Sequence, residues 1–307
     1  MPFTVIEGTY HLVGRTRAGN PSGFEPDGDS MQFKPSNPAL LAGLARTGAP
    51  ARLTSIGSTQ LRFEGIDALE LHFGGSFQPR PLAYDARDFL TGKLHLDPVL
   101  YSGPGLTTVQ PPVVHDAAAG FILSRALEQH GRPVSFVFVG SPPAPDGSQL
   151  ELDVALLRKS VNYASLLAGD AYPLFYDTLF GDLRSALSKA AQTARTRRRG
   201  LWASDRSQLG LTVSDQAALE REAVVFPKLF RRLTEFLRQQ VGPLDQFRPW
   251  LAAKREQVLD LPTGNFTHFE NVLEVDHGTV RLIRRPEQLV FVSAKTASRA
   301  AAPWLAV

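Results

Sequence analysis

Hydrophobic and polar positions alternate over several short stretches in the first half of the chain, and this two-residue period predicts β-strands. Strands are expected at residues 4–14, 30–34, 61–66, 121–127 and 134–139. The last two are expected to form a hairpin closed at Gly131, because a glycine can supply the positive φ that a tight turn needs. The Gly-, Pro- and Asn-rich stretch between the first two strands is expected to be a loop.

Apolar residues recur with helical spacing in the segments that separate or follow these strands. Helices are expected at residues 83–94, 154–167, 172–199, 213–240 and 244–258, with Gly200 ending the third, and strands at 266–275, 279–283 and 288–292. Residues 35–60 form a long connection with one helical stretch at 40–44. An insertion of this length usually has a role of its own, and here it could cover or narrow a groove.

These elements predict an α+β protein in two parts. Residues 1–204 are expected to form an OB-fold domain, a five-stranded β-barrel with packed helices, because short strands are followed by helices in this order. Residues 205–307 are expected to form a C-terminal α+β module of about 100 residues, an ordinary domain size. The total length of 307 residues suits two domains.

Composition narrows the chemistry that the chain can carry out. The sequence has no cysteine, which excludes disulfides, thiolate metal ligands and cysteine nucleophiles. Its net charge of +3 suits an anionic partner without requiring one. The first residues lack the pattern of a secretory signal, and no apolar run approaches the roughly 20 residues that span a bilayer. We therefore expect a cytoplasmic protein that does not bind membranes.

Charged residues stand near the expected ends of three strands. Asp29 lies in an Asp-Gly-Asp-Ser turn that enters the second strand, whereas Asp67 and Glu70 lie just past the third. Arg62 is within that third strand, and Arg132 follows the glycine of the hairpin turn. Taken singly, these features are more typical of an ordinary turn, of surface charges and of an exposed arginine.

Together the five residues supply what hydrolysis of a phosphodiester requires. A divalent cation held by Asp29 and Asp67 would polarise a phosphate oxygen. Glu70 would accept the proton of the attacking water as general base. Arg62 and Arg132 would bind phosphate oxygens and stabilise the charge that develops on them. The combination therefore predicts a phosphodiesterase centre.

At these positions the chain resembles the staphylococcal nuclease-like (thermonuclease) family. The turn at 27–30 is similar to the family's Asp-Gly-Asp-Thr turn, and Arg62 followed by Gly-Ile-Asp-Ala-Leu-Glu is similar to its Arg and Gly-Ile-Asp-Ala-Pro-Glu, with the spacings kept. Further similar pieces are the helix at 84–90, the His-Gly-Arg hairpin at 130–138 and the closing segments at 156–158 and 199–202. The similarity covers roughly residues 5–203 and keeps the motif order.

The resemblance implies an OB-fold nuclease that uses calcium, or another divalent cation, to cleave DNA, RNA or both. The implied metal ligands are Asp29, Asp67 and the backbone carbonyl of Ala68. The implied catalytic residues are Arg62, Glu70 and Arg132.

The sequence also departs from the family pattern. Leu69 stands where the family has proline. Two tyrosines that flank the family's substrate align near Leu166 and Ala168, and Tyr172 or Tyr176 could replace them from the next segment.

Three alternatives stay open at this point. The domain could be a non-catalytic OB-type scaffold that binds nucleic acid or protein, although such members usually lose the acidic ligands that this chain keeps. The basic run at 195–199 could contact phosphates or end a helix favourably. The C-terminal module could direct the nuclease to a partner or cover its groove. Its apolar and basic segment at 226–233 could bind nucleic acid or a partner, but packing against its own strands is the simpler interpretation.

Overall fold

The computed structural model describes residues 2–46 and 48–293. The strands in the first part of the chain are β1 (Phe3–His11), β2 (Val13–Arg15), β3 (Pro21–Gly23), β4 (Gln32–Pro35), β5 (Ala45–Arg46), β6 (Thr59–Gln60), β7 (Arg62–Phe63), β8 (Ile66–Ala68), β9 (Tyr101–Ser102), β10 (Thr108–Val109), β11 (Ala118–Leu127), β12 (Pro133–Val139), β13 (Gln149–Leu150), β14 (Ala171–Pro173) and β15 (Phe175–Tyr176). The predicted hairpin, formed by β11 and β12, is confirmed.

The main sheet has eight strands and is nearly closed into a barrel. Its order is β6-β4-β1-β11-β12-β7, with β13 added to β1 and β5 added to β11. The end strands β6 and β7 are separated in the chain only by Leu61. Because β6 pairs with β4 and β7 pairs with β12, one short segment joins both edges of the sheet. The predicted mixed α+β architecture is therefore confirmed.

Helices cover the barrel and build the later part of the chain. They are α1 (Ala39–Ala42), α2 (Arg80–Lys93), α3 (Val154–Leu157), α4 (Val161–Ala168), α5 (Gly181–Thr196), α6 (Gln216–Glu222), α7 (Pro227–Arg238) and α8 (Phe247–Ala252). The predicted helix at 83–94 is confirmed by α2. Within the described residues, no helix combines the length and the apolar character needed to cross a membrane.

Several predicted elements are broken in the structure at identifiable residues. The strand predicted at 61–66 stops at Phe63, because Gly65 has a φ of 78° and turns the chain into β8. The helix predicted at 154–167 divides at Ser160, which is extended and whose hydroxyl caps α4 through the N–H of Tyr163. The helix predicted at 172–199 begins only at Gly181, since the residues before it form β14 and β15.

The later strands are β16 (Leu211–Thr212), β17 (Gln257–Asp260), β18 (Asn265–His268), β19 (Leu273–Asp276), β20 (Thr279–Leu282) and β21 (Leu289–Phe291). The helix predicted at 213–240 is divided into α6 and α7, with Pro227 at the start of α7. The helix predicted at 244–258 is shorter and is followed directly by β17. The segment after residue 204 therefore has the predicted α+β content with different boundaries.

The segment after residue 204 packs directly on the barrel part. Strand β15 pairs in parallel with β21, and the Tyr172 ring lies 6.1 Å from the Phe226 ring. Arg195 of α5 forms an ion pair with Glu287. Buried residues of both parts belong to one hydrophobic cluster. This packing fixes the position of α7 relative to the barrel.

Asn162 connects three backbone segments of the barrel part. It is fully buried on α4, its amide nitrogen donates to the carbonyls of Glu64 (2.9 Å) and Ser135 (3.0 Å), and its oxygen accepts the N–H of Val137 at 2.9 Å. These bonds attach α4 to β12 and to the turn that follows β7. Together with the bond from the N–H of Glu64 to the Ser135 carbonyl, Asn162 therefore holds the turn between Arg62 and Asp67.

We expect Asn162→Ala to lower the free energy of unfolding by at least about 2 kcal/mol, because it leaves the buried Glu64 carbonyl and the Val137 N–H without a partner at about 1–3 kcal/mol each. The Ser135 carbonyl still accepts the N–H of Glu64. Urea unfolding followed by circular dichroism measures the loss. Asn20→Ala, in an exposed loop, is the matched control and should change the stability by less than about 0.5 kcal/mol. Equal stability of the two variants would contradict this role.

Candidate hydrolytic site

Gly28 allows the Asp-Gly-Asp-Ser turn to pack against two other elements. A Cβ at this position would lie 2.6 Å from the Cβ of Ala68 and 2.8 Å from that of Ala86, closer than real Cβ contacts. The turn therefore reaches β8 only because residue 28 is glycine. The result is that Asp29 is buried beside β8, where the N–H of Ala68 points at its Oδ2 at 3.4 Å.

Arg62 lies between the carboxylates of Asp29 and Asp67. Its Nη1 is 3.8 Å from Asp29 Oδ2, and its Nη2 is 3.4 Å from Asp67 Oδ1. Asp67 is completely buried in β8, which follows β7 after the turn at Gly65. The sequence-predicted convergence of these three side chains is therefore present in the structure.

Glu70 follows β8 and is held by the buried side chain of Gln78. The Gln78 oxygen accepts the N–H of Glu70 at 3.2 Å, and the N–H of Gln78 donates to the Glu70 carbonyl at 2.8 Å. The Gln78 amide nitrogen donates to the carbonyls of Ala223 (2.7 Å) and Val225 (2.8 Å). Gln78 thus attaches the loop of Glu70 to the segment that leads into α7.

Arg231 of α7 reaches into the same carboxylate cluster. Its Nη1 is 3.0 Å from Asp67 Oδ1 and 2.5 Å from Glu70 Oε1, and its Nη2 is 2.9 Å from Asp67 Oδ2. Charge-assisted, paired contacts of this kind are the strongest hydrogen bonds between side chains. The cluster therefore contains three carboxylates and two guanidinium groups.

Burial and neighbouring charges raise the pKa values of two acids of the cluster and of Arg231, although for different reasons. Burial raises the pKa of Asp29 well above its usual range, repulsion from Asp27 adds to it, and Arg62 partly offsets it. Burial also raises the pKa of Glu70, against the lowering effect of Arg231. Burial alone would lower the pKa of Arg231, yet Asp67 and Glu70 outweigh it and raise that pKa well above its ordinary value.

As arranged here, these residues do not fit a divalent cation. Calcium needs several oxygen ligands at about 2.3–2.6 Å. Both carboxylate oxygens of Asp67 accept N–H groups of Arg231, and Arg62 also faces Oδ1. Across the described part of the chain, no group of three or more acidic or histidine side chains is placed to hold a metal ion. The calcium ligands Asp29, Asp67 and Ala68 therefore stay a prediction.

Arg132 lies in a separate open cleft rather than among the carboxylates. Its Nε is 3.3 Å from Glu128 Oε1, and its side chain is 30% exposed. The cleft has a volume of about 470 Å³ and is lined by polar and basic residues, among them Gln32, Arg52, Thr54, Gln60, His130 and Arg132. It adjoins the cluster, because the Gln60 amide donates to the Ser30 hydroxyl, next to Asp29, at 3.2 Å.

The inserted segment forms one wall of this cleft. The N–H of Ala49 donates to the Gln129 carbonyl at 3.1 Å, so the insertion lies on the hairpin turn. A Cβ on Gly131 would lie 2.1 Å from the Pro50 carbonyl oxygen, which explains why the turn needs glycine there. Arg52 is exposed at the cleft and makes no ion pair with any described residue. The insertion therefore adds a cation beside Arg132.

The two tyrosines predicted to replace the substrate-flanking residues differ in their surroundings. Tyr172 is fully buried in β14, and its hydroxyl donates to Asp205 at 2.8 Å, so it is a core residue. Tyr176 is partly exposed in β15. In the basic run, Arg195 pairs with Glu287 and lies 4.2 Å over the Trp202 ring, which is a structural role.

Sequence reasoning did not assign Arg231 or Arg52 to the site. Arg231 belongs to the apolar and basic segment that was expected to pack within its own module, and a helical pattern does not show which distant surface a helix meets. Arg52 had no signal beyond its place in an insertion of unusual length.

Sequence comparisons do not identify a family for this chain. No protein-family model matches it, and no curated protein matches it in sequence. The candidate function of this chain therefore rests on the geometry of its side chains and on the motif resemblance.

A further buried acid, Glu64, stands directly after β7. Burial raises its pKa to about 7, although Arg125 and Arg62 act in the opposite direction. The folded protein thus favours the protonated form of this acid. The stability that Glu64 contributes is fully present below its unfolded pKa of about 4.5, and it is lost as the pH rises through about 7.

We expect Glu64→Gln to change this pH dependence. Relative to the wild type, the variant should gain about 3 kcal/mol of stability between pH 4 and pH 8, because glutamine cannot ionise. Urea unfolding of both proteins at the two pH values measures the difference. A stability difference that is the same at pH 4 and pH 8 would show that Glu64 ionises normally.

Proposed function

We propose that this chain hydrolyses phosphodiester bonds in DNA, RNA or both, as a relative of the staphylococcal nuclease-like family with an OB-type barrel. The observation that carries the proposal is the convergence of Asp29 and Asp67 on Arg62, with Glu70 beside them through their shared partner Arg231. These are four of the five side chains that the motif resemblance assigns to one centre. Their convergence supports the resemblance independently of motif order.

The chemistry follows from the individual groups. Arg62 would donate N–H groups to the oxygens of the scissile phosphate. Glu70 would take a proton from water as the water oxygen attacks phosphorus and the bond to the leaving oxygen breaks. A raised pKa makes Glu70 a stronger base than a solvated glutamate. This step requires that the Glu70 carboxylate is free of Arg231.

The open basic cleft supports a nucleic-acid substrate. Arg52, His130 and Arg132 line it and could follow a phosphate backbone that enters the neighbouring cluster. Calcium dependence rests on the resemblance alone. Cleavage with and without a chelator tests that dependence directly.

A second candidate is a nucleic-acid-binding scaffold without catalysis. The observation in its favour is that Arg231 neutralises Asp67 and Glu70, while the cleft stays open. Labelled single- and double-stranded oligonucleotides separate the two functions, because a scaffold binds them and leaves them intact.

We expect Glu70→Gln to lower the turnover of oligonucleotide cleavage by at least about 100-fold, because a general base typically contributes a factor of 10² to 10⁴. Gel analysis of labelled DNA and RNA, with calcium or with a chelator, measures turnover. Glu151→Gln, an exposed acid, is the control and should cleave like the wild type. If neither the wild type nor a variant that lacks the Arg231 side chain cleaves any oligonucleotide, the protein is not a nuclease.

Arg52→Ala is expected to weaken binding of a single-stranded oligonucleotide and to reduce its salt dependence by roughly 0.7 in the log–log slope, as for one lost phosphate contact. Fluorescence anisotropy at several salt concentrations measures both quantities. Arg46→Ala is the matched control, since Arg46 is exposed on the same inserted segment but does not line the cleft. An equal loss of oligonucleotide affinity in both variants would show that the cleft is not the binding site.

A further inference from the structure

The position of Arg231 is incompatible with an active hydrolytic centre. Its contact with Glu70 engages the carboxylate that would accept the proton of water. Its contacts with Asp67 occupy both oxygens that a divalent cation would need. Both terminal nitrogens of Arg231 are used by these contacts, so in this state they are not available to a phosphate either. The observed arrangement is therefore a closed one.

Helix α7 is held in place by contacts on both sides of Arg231. Before the helix, Gln78 bonds to the carbonyls of Ala223 and Val225. At its end, Arg238 Nη2 donates to the Gly74 carbonyl at 2.6 Å and to the Ser76 hydroxyl at 2.8 Å. Residues 74–78 belong to the loop that follows Glu70. The helix is thus attached to the same loop as the general base.

Arg231 replaces the charge that a metal ion would supply. Buried carboxylates are unfavourable unless a cation neutralises them. A guanidinium group that donates to Asp67 and Glu70 meets this need without a metal ion. The guanidinium is also part of the chain, so it competes with calcium at a high effective concentration.

We infer that α7 closes the hydrolytic centre from within: the guanidinium of Arg231 occupies the cation position on Asp67 and Glu70, and a divalent cation binds there only when Arg231 leaves. The chain is then a latent hydrolase in which the Arg231 guanidinium competes with the metal ion for the same carboxylates. Catalysis in the open state rests on the proposed function, whereas the competition for Asp67 and Glu70 does not. The apparent affinity for calcium is lowered in proportion to the fraction of open molecules.

Removal of the Arg231 side chain tests this inference. Arg231→Ala should bind calcium at least ten-fold more tightly than the wild type, measured by isothermal titration calorimetry of the full chain. Arg232→Ala removes the same charge from the next position of α7, but Arg232 pairs with Glu235 and Glu256, so its calcium affinity should match the wild type. Adding Asp67→Asn to Arg231→Ala should abolish the gain and thereby locate the site.

A measurement on the wild type covers the case in which Arg231→Ala fails to fold. Saturating calcium should lower the hydrogen-exchange protection of the α7 amides, because the cation displaces Arg231 from the cluster. Protection of α5, which lies outside the cluster, should not change. Unchanged protection of α7 at saturating calcium would overturn the inference, as would equal calcium affinity of the wild type and a folded Arg231→Ala.

The same variants separate this inference from the proposed function. Tighter calcium binding by Arg231→Ala without any cleavage of oligonucleotides supports the closure and contradicts hydrolysis. If the wild type cleaves oligonucleotides, and Arg231→Ala cleaves them more slowly without binding calcium more tightly, the result contradicts the closure and supports the proposed hydrolysis. Faster cleavage together with tighter calcium binding supports both.

Discussion

Buried carboxylates repel each other and lose their solvation, so a cluster of them is stable only when cations stand among them. Asp29, Asp67 and Glu70 meet this constraint through Arg62 from the barrel and Arg231 from α7. The rest of the structure around the site follows from it. Strand β7 carries Arg62 and helix α7 carries Arg231, so guanidinium groups reach these acids from two separate elements.

Because of this dependence, the part of the chain after residue 204 contributes directly to the candidate site. Its helix α7 completes the charge balance of a cluster whose acids all come from the barrel part. Gln78 attaches both sides to each other, since it bonds Glu70 and the segment before α7 at once. A change in the packing of the C-terminal segment would therefore change the ionisation of the candidate centre directly.

The site has two regions with different properties. The carboxylate cluster is buried and already neutralised, whereas the adjoining cleft is open and carries Arg52 and Arg132 with room for an anion. Under the proposed function, the cleft would bind a nucleic acid while Asp67 and Glu70 remain engaged with Arg231. Binding and cleavage would then be separable, in contrast to a centre where one set of residues does both.

The sequence by itself determined what depends on near neighbours: the alternating strands, the hairpin around Gly131, helix α2, and the short motifs that carry Asp29, Arg62, Asp67 and Glu70. It also limited the chemistry through the absence of cysteine. Ser160 and Gly65 interrupt an otherwise regular pattern through local features, a hydroxyl that caps α4 and a positive φ. Tertiary structure alone decided which distant residue meets Asp67. Arg231 is 164 residues from Asp67 in the chain, and no local periodicity encodes a contact across that distance. It forms because packing of α7 on the barrel part brings a cation to buried acids.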